Sequence, residues 1–320
     1  MKVLVTGASG AVGGALVPLL VGSGHGVFGT TTTEAKAERL RQAGAEPVVL
    51  DVLDARATVD ALRRVRPDAI VHQATALKGA GNLRKFDEEF ALTNRLRTEG
   101  TENLLAGARE IGGVRFVAQS FAGWPYAREG GPVKTEEDPL DPHPAKESRE
   151  TLVAIRKLES LIVEAGGMAL RYGGFYGPGT TLSEGGMHVD TVRRRRFPIV
   201  GSGAGVWSFT HIDDVAAATL AALERGAPGV YNVVDDEPAP VAEWLPELAK
   251  AVGAPPPRHI PAWLGRLVLG EHGLNMMTKS RGASNGKAKR ELGWEPIWPT
   301  WREGFRRGLR RNEPANAVRA

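Results

Sequence analysis

The sequence predicts an α/β fold, a doubly wound parallel sheet with a smaller C-terminal subdomain. Three observations support this prediction. Short apolar runs alternate with amphipathic stretches through the first half of the 320 residues. The runs are nearly continuous, as in parallel strands that are covered on both faces. After about residue 173 the alternation loosens, and glycine and proline cluster. We therefore expect a first domain of residues 1–174, joined by 206–235, and a second built from 175–205 and 236–320.

Each element follows from a local pattern. Continuous apolar runs predict strands, and apolar residues spaced three and four apart predict helices. Six strands are expected in the first half, at 3–5, 27–29, 48–50, 69–71, 114–117 and 168–170. The helices between them are expected at 11–21, 34–43, 54–65, 88–110 and 147–165. Further strands are expected at 206–210 and 230–233, and further helices at 214–224, 241–252, 262–269, 285–292 and 301–311.

Composition excludes several classes of protein. The chain has no cysteine, which rules out a disulfide scaffold, a thiolate metal site and a catalytic thiol. It has no apolar run long enough for a transmembrane helix and no signal-peptide pattern, so we expect a cytoplasmic protein without membrane contact. The net charge is only +4, from 41 basic and 37 acidic residues. Glycine is the anomaly, at 40 residues.

Part of the glycine excess lies in a phosphate-binding pattern. Residues 6–13 read T-G-A-S-G-A-V-G, directly after the first strand and at the start of the first helix. Gly7 suits a tight turn, Gly10 lets the backbone approach a pyrophosphate, and Gly13 lets the helix pack closely on the strand. The free N–H groups of the helix N-terminus attract an anion. The position within a β-α-β unit favours dinucleotide binding over a purely structural turn.

With these residues and several later motifs, the chain resembles the extended short-chain dehydrogenase/reductase superfamily, NAD-dependent epimerases and dehydratases with a Rossmann-type sheet. The motifs include V-V-L-D at 48–51, I-V-H-Q-A-T at 70–75, R-Y-G-G-F-Y-G-P-G at 171–179 and F-T-H-I-D-D-V-A at 209–216. The resemblance implies hydride-transfer chemistry on a small-molecule substrate. It also implies a set of cofactor-binding residues: Gly7, Ser9, Gly10, Ala11, Val12, Gly13, Thr31, Thr32, Lys36, Asp51, Val52, Gln73, Ala74, Thr75, Asn94, Lys157, Tyr172 and Phe175.

Charge near the second strand bears on which nicotinamide cofactor is used. NAD-binding proteins of this kind place a carboxylate at the end of that strand, on the ribose hydroxyls. Here residues 30–33 are all threonine, and Lys36 lies one turn into the following helix. Hydroxyls and a lysine can bind a 2′-phosphate. We expect NADP, with NAD as the alternative; a solvated helix face remains the simpler interpretation of Lys36.

The catalytic positions depart from the family pattern, in which a Tyr lies four residues before a Lys on one helix face and exchanges a proton with the substrate. Lys157 matches the Lys, but the residue four positions earlier is Val153. Three explanations stay open. Other groups take over the proton transfer, with Tyr126 as the leading donor, Lys157 as a possible general acid and Ser120 as a hydrogen-bond partner of a substrate oxygen. Alternatively, the reaction needs no side-chain acid, or the protein binds the cofactor without turnover, as a regulatory or scaffold protein. Structural roles for Tyr126 and Ser120 are equally open.

The remaining patterns indicate few other partners. The seven histidines show no metal-ligand spacing, so no metal site is expected. Two arginine runs, at 193–196 and around 306–311, could contact nucleic acid or an anionic substrate. Without interleaved aromatic residues, we interpret them as solvated helix faces and expect no nucleic acid, although one of these arginines could reach a substrate anion. The resemblance also implies a homodimer through the helices at 88–110 and 147–165.

Overall fold

A computed structural model describes residues 1–77 and 81–310. Contacts divide the chain into two compact units: Met1–Ser120, Ser148–Arg171 and Ala216–Tyr231 form the first, and Phe121–Glu147, Tyr172–Val215 and the chain from Asn232 onward form the second. Arg311, the last arginine of the second run, lies outside the described residues. No helix within the described ranges combines the length and apolarity that crossing a membrane requires.

The strands and helices have the following bounds. The strands are β1 Lys2–Thr6, β2 Gly26–Thr31, β3 Glu46–Val49, β4 Ala69–His72, β5 Arg115–Phe121, β6 Val133–Lys134, β7 Met168–Tyr172, β8 Gly174–Tyr176, β9 Ile199–Val200, β10 Val206–Trp207, β11 Phe209–His211, β12 Gly229–Val233, β13 Ala239–Pro240, β14 His259–Ile260 and β15 Gly282–Ala283. The helices are α1 Ala11–Gly22, α2 Glu34–Gln42, α3 Ala55–Val65, α4 Phe86–Arg95, α5 Thr101–Ile111, α6 Arg149–Glu164, α7 Met187–Arg193, α8 Ile212–Arg225, α9 Val241–Ala251, α10 Ala262–Thr278, α11 Gly286–Leu292 and α12 Trp301–Arg307.

A seven-stranded parallel sheet in the order β12-β7-β5-β4-β1-β2-β3 confirms the predicted fold class. Val3, Leu4 and Val5 in β1 are all fully buried, and successive side chains of a strand point to opposite faces, so both faces of the sheet are covered. After β3 the chain returns to place β4 on the other side of β1. This reversal of strand order creates a switch point between β1 and β4, the place where such sheets bind ligands.

The second unit has its own core, rich in aromatic residues, around Tyr176, Phe209, Trp244, Trp301 and Phe305. Its strands are short and form two-stranded sheets, for example β11 with β8 and β14 with β9. The core is therefore held by interlocking rings rather than by a long hydrogen-bonded ladder.

Three predicted elements differ from the structure. The helix expected at 88–110 is α4 and α5 joined by a π-helical segment, Leu96–Gly100. The strand expected at 206–210 is two strands, β10 and β11, which pair in different sheets. The helix expected to end at 269 resumes after a break at Gly270, whose φ of 75° is left-handed. A glycine in that conformation commonly ends a helix, and the sequence accordingly predicted a helix end just before it.

The contact units also differ from the predicted domain limits. Residues 121–147, expected within the first domain, belong to the second unit. Parallel pairing of β6 with β15 joins Val133 and Lys134 to Gly282 and Ala283, which draws this segment into the second unit. The segment 206–215 belongs there as well, because β10 pairs with β13 and β11 with β8.

Candidate cofactor and active site

Predicted cofactor residues of the first unit meet at one edge of the sheet. Strands β1 to β4 run parallel to their neighbours, so their carboxyl ends lie together. Gly7 follows β1, Thr31 ends β2, and Asp51 and Gln73 come shortly after β3 and β4. The edge therefore gathers at the switch point residues that are distant in sequence.

The glycine loop is shaped by backbone contacts that no larger residue allows. Gly7 has a φ of +69°, and a Cβ atom there would lie 2.6 Å from the carbonyl oxygen of Gln73. A Cβ atom on Gly13 would lie 2.2 Å from the carbonyl oxygen of Ala8. Close packing of the loop against the β4 exit and of α1 against the loop requires glycine at both positions.

The N-terminus of α1 is open to an anion. Gly10 is the N-cap residue, no side chain caps the helix, and its first turn has no acidic residue. Ser9, Gly10 and Ala11 are exposed, whereas Val12 and Gly13 are buried. Uncapped N–H groups at a helix start, reached through exposed small residues, fit a pyrophosphate. The loop therefore fits the phosphates of a dinucleotide.

Next to this loop, the start of α2 carries positive charge that its own carboxylates do not neutralise. Glu34 and Glu38 are both bound to Arg41, at 3.0 and 3.2 Å. Lys36 and Arg39 are exposed, and within the described ranges neither forms an ion pair. Thr31 is buried and Thr32 exposed at the end of β2. Arg41 thus pairs with both carboxylates, whereas Lys36 and Arg39 stay unpaired among the described residues.

Polar groups at the ends of β3 and β4 are fixed by local bonds. Asp51 is exposed and accepts a hydrogen bond from the Leu53 N–H at 3.0 Å. Val52 is buried, and its carbonyl accepts from the Asn103 side chain at 2.9 Å. Beyond β4, Gln73 is buried, Ala74 half-buried and Thr75 exposed. The chain therefore rises from the interior to the surface at this edge.

A buried histidine connects β1, β4 and the π-helical segment. The Thr6 hydroxyl lies 2.6 Å from His72 Nδ1, and His72 Nε2 lies 3.1 Å from the Leu96 carbonyl oxygen. Because a carbonyl only accepts, Nε2 donates, and Nδ1 accepts from Thr6. Burial lowers the pKa of His72 to about 4, so the ring is neutral. The bond to Leu96 occupies a carbonyl at the start of the π-helical segment, where the helix widens.

Helix α6 places Lys157 on an exposed face, in an ion pair. Val153 is 57% exposed, and the Lys157 side chain is 46% exposed with its Nζ 2.7 Å from Glu102. The buried side of α6 instead presents Thr151 and Ile155, one helical turn apart. Neither residue titrates. The predicted ribose-binding and catalytic roles of Lys157 remain predictions, and its exposed ion pair is that of an ordinary surface lysine.

Thr151 is held in a chain of neutral and acidic partners. Its hydroxyl donates to Asp87 Oδ1 at 2.6 Å and accepts from the Asn94 amide nitrogen at 3.0 Å. Asp87 also accepts the N–H groups of Glu150 and Thr151, and so caps the start of α6 from α4. The amide oxygen of Asn94 is buried without a hydrogen-bond partner among the described residues. Asn94, predicted as a cofactor residue, thus keeps one acceptor available.

Ser120 lies in a buried charged cluster. Its hydroxyl donates to Glu159 Oε1 at 2.6 Å, and Glu159 also receives two bonds from Arg171, at 2.7 and 2.6 Å. Arg97, in the π-helical segment, is buried nearby; burial lowers its pKa to about 10, and the charge of Glu159 opposes that shift. The cluster combines two guanidinium groups with one carboxylate. With its hydroxyl committed to Glu159, Ser120 has a structural role here, and its catalytic role remains a prediction.

The other predicted residues belong to the second unit. Tyr126 is 1% exposed and its hydroxyl donates to Asn232 Oδ1 at 2.6 Å, an arrangement that favours packing over proton donation. Tyr172 is buried, and its ring centroid lies 5.6 Å from that of the half-buried Phe175. Catalysis by Tyr126 and cofactor contacts by Tyr172 and Phe175 remain predictions.

Sequence reasoning missed four residues of this region: Asp87, Arg97, Glu159 and Arg171. One signal was present, because Arg171 interrupts the apolar strand M-A-L-R-Y. A charged residue inside a buried strand requires a partner of opposite charge. Nothing in the sequence indicated that the partner would be Glu159 rather than a ligand. Within the described ranges, no group of three His, Cys, Asp or Glu side chains could hold a metal ion.

Comparison with known proteins agrees with this geometry. The chain is 42% identical over 314 residues to a 3-diazoavenalumate denitrifying reductase of a Streptomyces species, covering 96% of this chain and 100% of the relative. UDP-glucose 4-epimerase of Thermotoga maritima, solved with UDP-glucose, has a TM-score of 0.77 at 21% identity, and 97% of each chain is covered. UDP-glucose 4-epimerase of Thermus thermophilus, solved with NAD, has a TM-score of 0.74 at 23% identity, covering 97% of this chain and 98% of that one.

The family described as "NAD dependent epimerase/dehydratase family" matches residues 3–233. That match spans the glycine loop, the whole seven-stranded sheet and α6. This chain belongs to the NAD dependent epimerase/dehydratase family.

Proposed function

We propose that this chain is a nicotinamide-dependent reductase whose substrate, an aromatic diazo compound, takes up hydride without needing a proton from the protein. One observation carries the proposal: the buried side of α6 presents Thr151 and Ile155, and neither can donate a proton at neutral pH. The relative that is 42% identical over nearly the whole chain, named a 3-diazoavenalumate denitrifying reductase, supports the substrate class.

The chemistry of carbonyl and diazonium substrates explains why a site without an acid fits a diazonium substrate. Reduction of a carbonyl group develops negative charge on oxygen, so an enzyme supplies an acid or an oxyanion site. A diazonium group persists in water when attached to an aromatic ring, and it is already a cation. Its reduction is Ar–N₂⁺ + H⁻ → Ar–H + N₂, in which the C–N bond breaks and no proton is gained or lost. A site without an acid suffices for this reaction.

The residues of the first unit have distinct parts in this proposal. A bound reduced nicotinamide supplies the hydride. The loop at 7–13 binds the dinucleotide phosphates on the N-terminus of α1. Asn94 offers its free amide oxygen to the nicotinamide half of the cofactor, and its orientation is set by Thr151 and Asp87. Ser120 and Tyr126 have no proton-transfer role, since their hydroxyls donate to Glu159 and Asn232.

We further propose that the cofactor is NADP rather than NAD. Lys36 and Arg39 are exposed without an ion-pair partner in the described part of the chain, while Arg41 binds Glu34 and Glu38. A 2′-phosphate can therefore approach α2 without meeting a free carboxylate. Calorimetric titration with NADPH and NADH tests this preference. Lys36→Glu should reverse it, and equal affinity of the wild type for both cofactors would contradict it.

The decisive experiment follows nitrogen release. Purified protein, NADPH and an arenediazonium salt should give one N₂ for each cofactor oxidised, measured by gas analysis and nicotinamide absorbance. A ketone of similar size should be reduced at least about a hundredfold more slowly, since the contribution of a general acid is of that order. Ketone reduction at a comparable rate, or cofactor oxidation without N₂ release, would contradict the proposal.

The same observation favours a second candidate, a protein that binds the cofactor without turnover. A pair such as Thr151 and Ile155, which has the family spacing but no titratable group, suits a regulatory or scaffold role equally well. The two candidates separate in one measurement. Tight NADPH binding with no turnover of diazonium salts, ketones or sugar nucleotides would support the second.

A further inference from the structure

The four arginines at 193–196 differ in whether their side chains are bonded to other residues. Arg193 binds the Glu184 carboxylate at 2.6 Å, and Arg195 donates to the Pro256 carbonyl oxygen at 3.2 Å. Arg194 and Arg196 form no ion pair or side-chain hydrogen bond with the described residues, and both line a cavity.

The cavity has the size of a small-molecule site. Its volume is about 360 Å³, and its lining consists of Gly185, Met187, Asp190, Thr191, Arg194 and Arg196. The cavity is open to the surface, because Gly185, Met187, Arg194 and Arg196 are exposed, so it suits one end of a small molecule. The lining offers two guanidinium groups against one carboxylate, together with an apolar Met187 side chain. Its net positive charge suits an anionic group on a small organic molecule.

The backbone brings the two free arginines to the cavity at a conformational cost. The N–H of Arg195 bonds to the Val192 carbonyl, and the N–H of Arg196 to the Thr191 carbonyl, the pattern of a Schellman helix end. Such an end normally has glycine in the left-handed position, but here Arg195 occupies it with a φ of 55°. Because the chain reverses at Arg195, both Arg194 and Arg196 line the cavity instead of continuing around a helix.

We infer that Arg194 and Arg196 form a carboxylate-binding site, and that its ligand is the acid group of an aromatic acid. Planar guanidinium groups bind carboxylates through paired hydrogen bonds, and two of them enclose one carboxylate from two sides. The identification of this acid with the reductase substrate rests on the proposed function. The name of the relative supports it, because 3-diazoavenalumate is the anion of an acid.

Asp190 is the group that opposes anion binding. It lies on α7, four residues before Arg194, and it is the only carboxylate among the described residues that line the cavity. In the empty site it lowers the local positive potential. Removal of its charge should therefore strengthen the binding of an acid, whereas a purely structural role for the arginines predicts no change.

The test measures direct binding to the full-length protein, without any turnover. Calorimetric titration with cinnamate, and with cinnamide as the neutral control, should detect binding of the acid only. Arg194→Gln and Arg196→Gln should each weaken cinnamate binding about tenfold or more, as expected for lost hydrogen bonds to a charged group. Arg195→Gln removes the same charge from the neighbouring position and should change the affinity less than about threefold. Asp190→Asn should tighten binding.

Several outcomes would overturn the inference: equal binding of cinnamate and cinnamide, no binding of either, or equal losses in all three arginine variants. A competition experiment shows whether the acid that binds here is the acid group of the substrate or a separate molecule. If the diazo substrate displaces cinnamate, the acid group of the substrate occupies the site, and if it does not, the site serves a separate acid. Because these measurements need no reduction, a failed diazo assay leaves the result on the carboxylate site intact.

Discussion

The loop after β1 and the buried side of α6 lie in the same unit but treat their polar groups in opposite ways. At the loop, backbone N–H groups at the start of α1 are left without a side-chain cap. Beneath α6, the polar side chains are already bonded. The Thr151 hydroxyl donates to Asp87, and the Ser120 hydroxyl donates to Glu159, which also binds Arg171. One region is ready for a ligand, and the other is largely saturated.

The difference indicates where the chemistry of this protein resides. Unsatisfied donors at a helix start bind phosphates strongly, so the loop is suited to hold a cofactor. Hydroxyls committed to buried carboxylates make poor proton donors, since release of the proton would place two negative charges side by side. Under the proposed function, the cofactor supplies the reactive hydride, and α6 contributes position rather than acid.

The largest expected effect on stability comes from removing the negative charge of the buried cluster beneath α6. Glu159→Gln leaves Arg171 and Arg97 buried without a full negative charge, and should lower the free energy of unfolding by about 3–5 kcal/mol. Urea unfolding measures this loss. Glu102→Gln, which removes the exposed partner of Lys157, is the matched control and should cost less than about 1 kcal/mol. Similar losses in both variants would show that the buried cluster is not special.

Acidification should lower the stability of the folded chain through His72, which bonds Thr6 at the end of β1 and the Leu96 carbonyl of the π-helical segment. The pKa of His72 is about 4 in the folded chain, against 6.5 ordinarily, so between these values the unfolded chain binds a proton that the folded one does not. The stability contribution is complete above pH 6.5 and is lost as pH falls towards 4. Between pH 7 and pH 5 we expect a loss of about 2 kcal/mol.

Replacement of His72 tests that origin. His72→Asn should remove about 2 kcal/mol of the stability lost between pH 7 and pH 5 in urea unfolding. Burial also lowers the pKa of His272 to about 4, so that residue contributes a separate loss. The exposed His259→Asn should leave the pH dependence unchanged. An unchanged slope in the His72 variant would mean that other groups cause the loss at acid pH.

A change at the open region should affect both folding and cofactor binding. Gly7→Ala places a Cβ atom 2.6 Å from the Gln73 carbonyl oxygen in a left-handed conformation, which costs about 1–3 kcal/mol and distorts the loop. Cofactor affinity should fall about tenfold or more in calorimetry. Gly14→Ala is the control, because its Cβ atom would meet nothing within 4 Å. Equal affinities in the two variants would contradict the role of the loop.

The smallest effect is expected at Lys157. Its side chain is half exposed and pairs with an equally exposed Glu102, so Lys157→Gln should change stability by less than about 1 kcal/mol. Cofactor affinity should change less than about twofold. A tenfold loss of affinity would instead restore the sequence-based prediction that Lys157 holds the ribose.

The fold could be predicted from sequence because it depends on local signals. Continuous apolar runs such as V-L-V after Lys2 predict buried parallel strands, and the glycine pattern at 7–13 follows the first of them. The seven-strand order and the switch point agree with that prediction. The π-helical segment at Leu96–Gly100 was not predicted from local signals. The carbonyl of Leu96 at its start bonds His72, a residue 24 positions away, and no local pattern reveals such a contact.

The site was harder to predict, because it depends on which side of α6 faces the interior. Lys157 and Val153 have the spacing of the family pair, but so do Thr151 and Ile155 two positions earlier. Spacing alone cannot choose between helix faces that differ by about 200° of rotation. The choice is made by tertiary contacts: Asp87 and Asn94 bind Thr151 from α4, and Glu159 binds Arg171.

The uncharged pair Thr151 and Ile155 also bears on chemoselectivity. Cells contain many ketones and aldehydes that could enter a reductase site beside a reduced nicotinamide. Their reduction stalls without a proton for the developing alkoxide, whereas a cationic electrophile proceeds. Under the proposed function, such compounds would occupy the site as inhibitors rather than react. An enzyme of this kind would distinguish diazonium compounds from carbonyl compounds because it lacks a proton donor, without a pocket wall that excludes the carbonyl compounds.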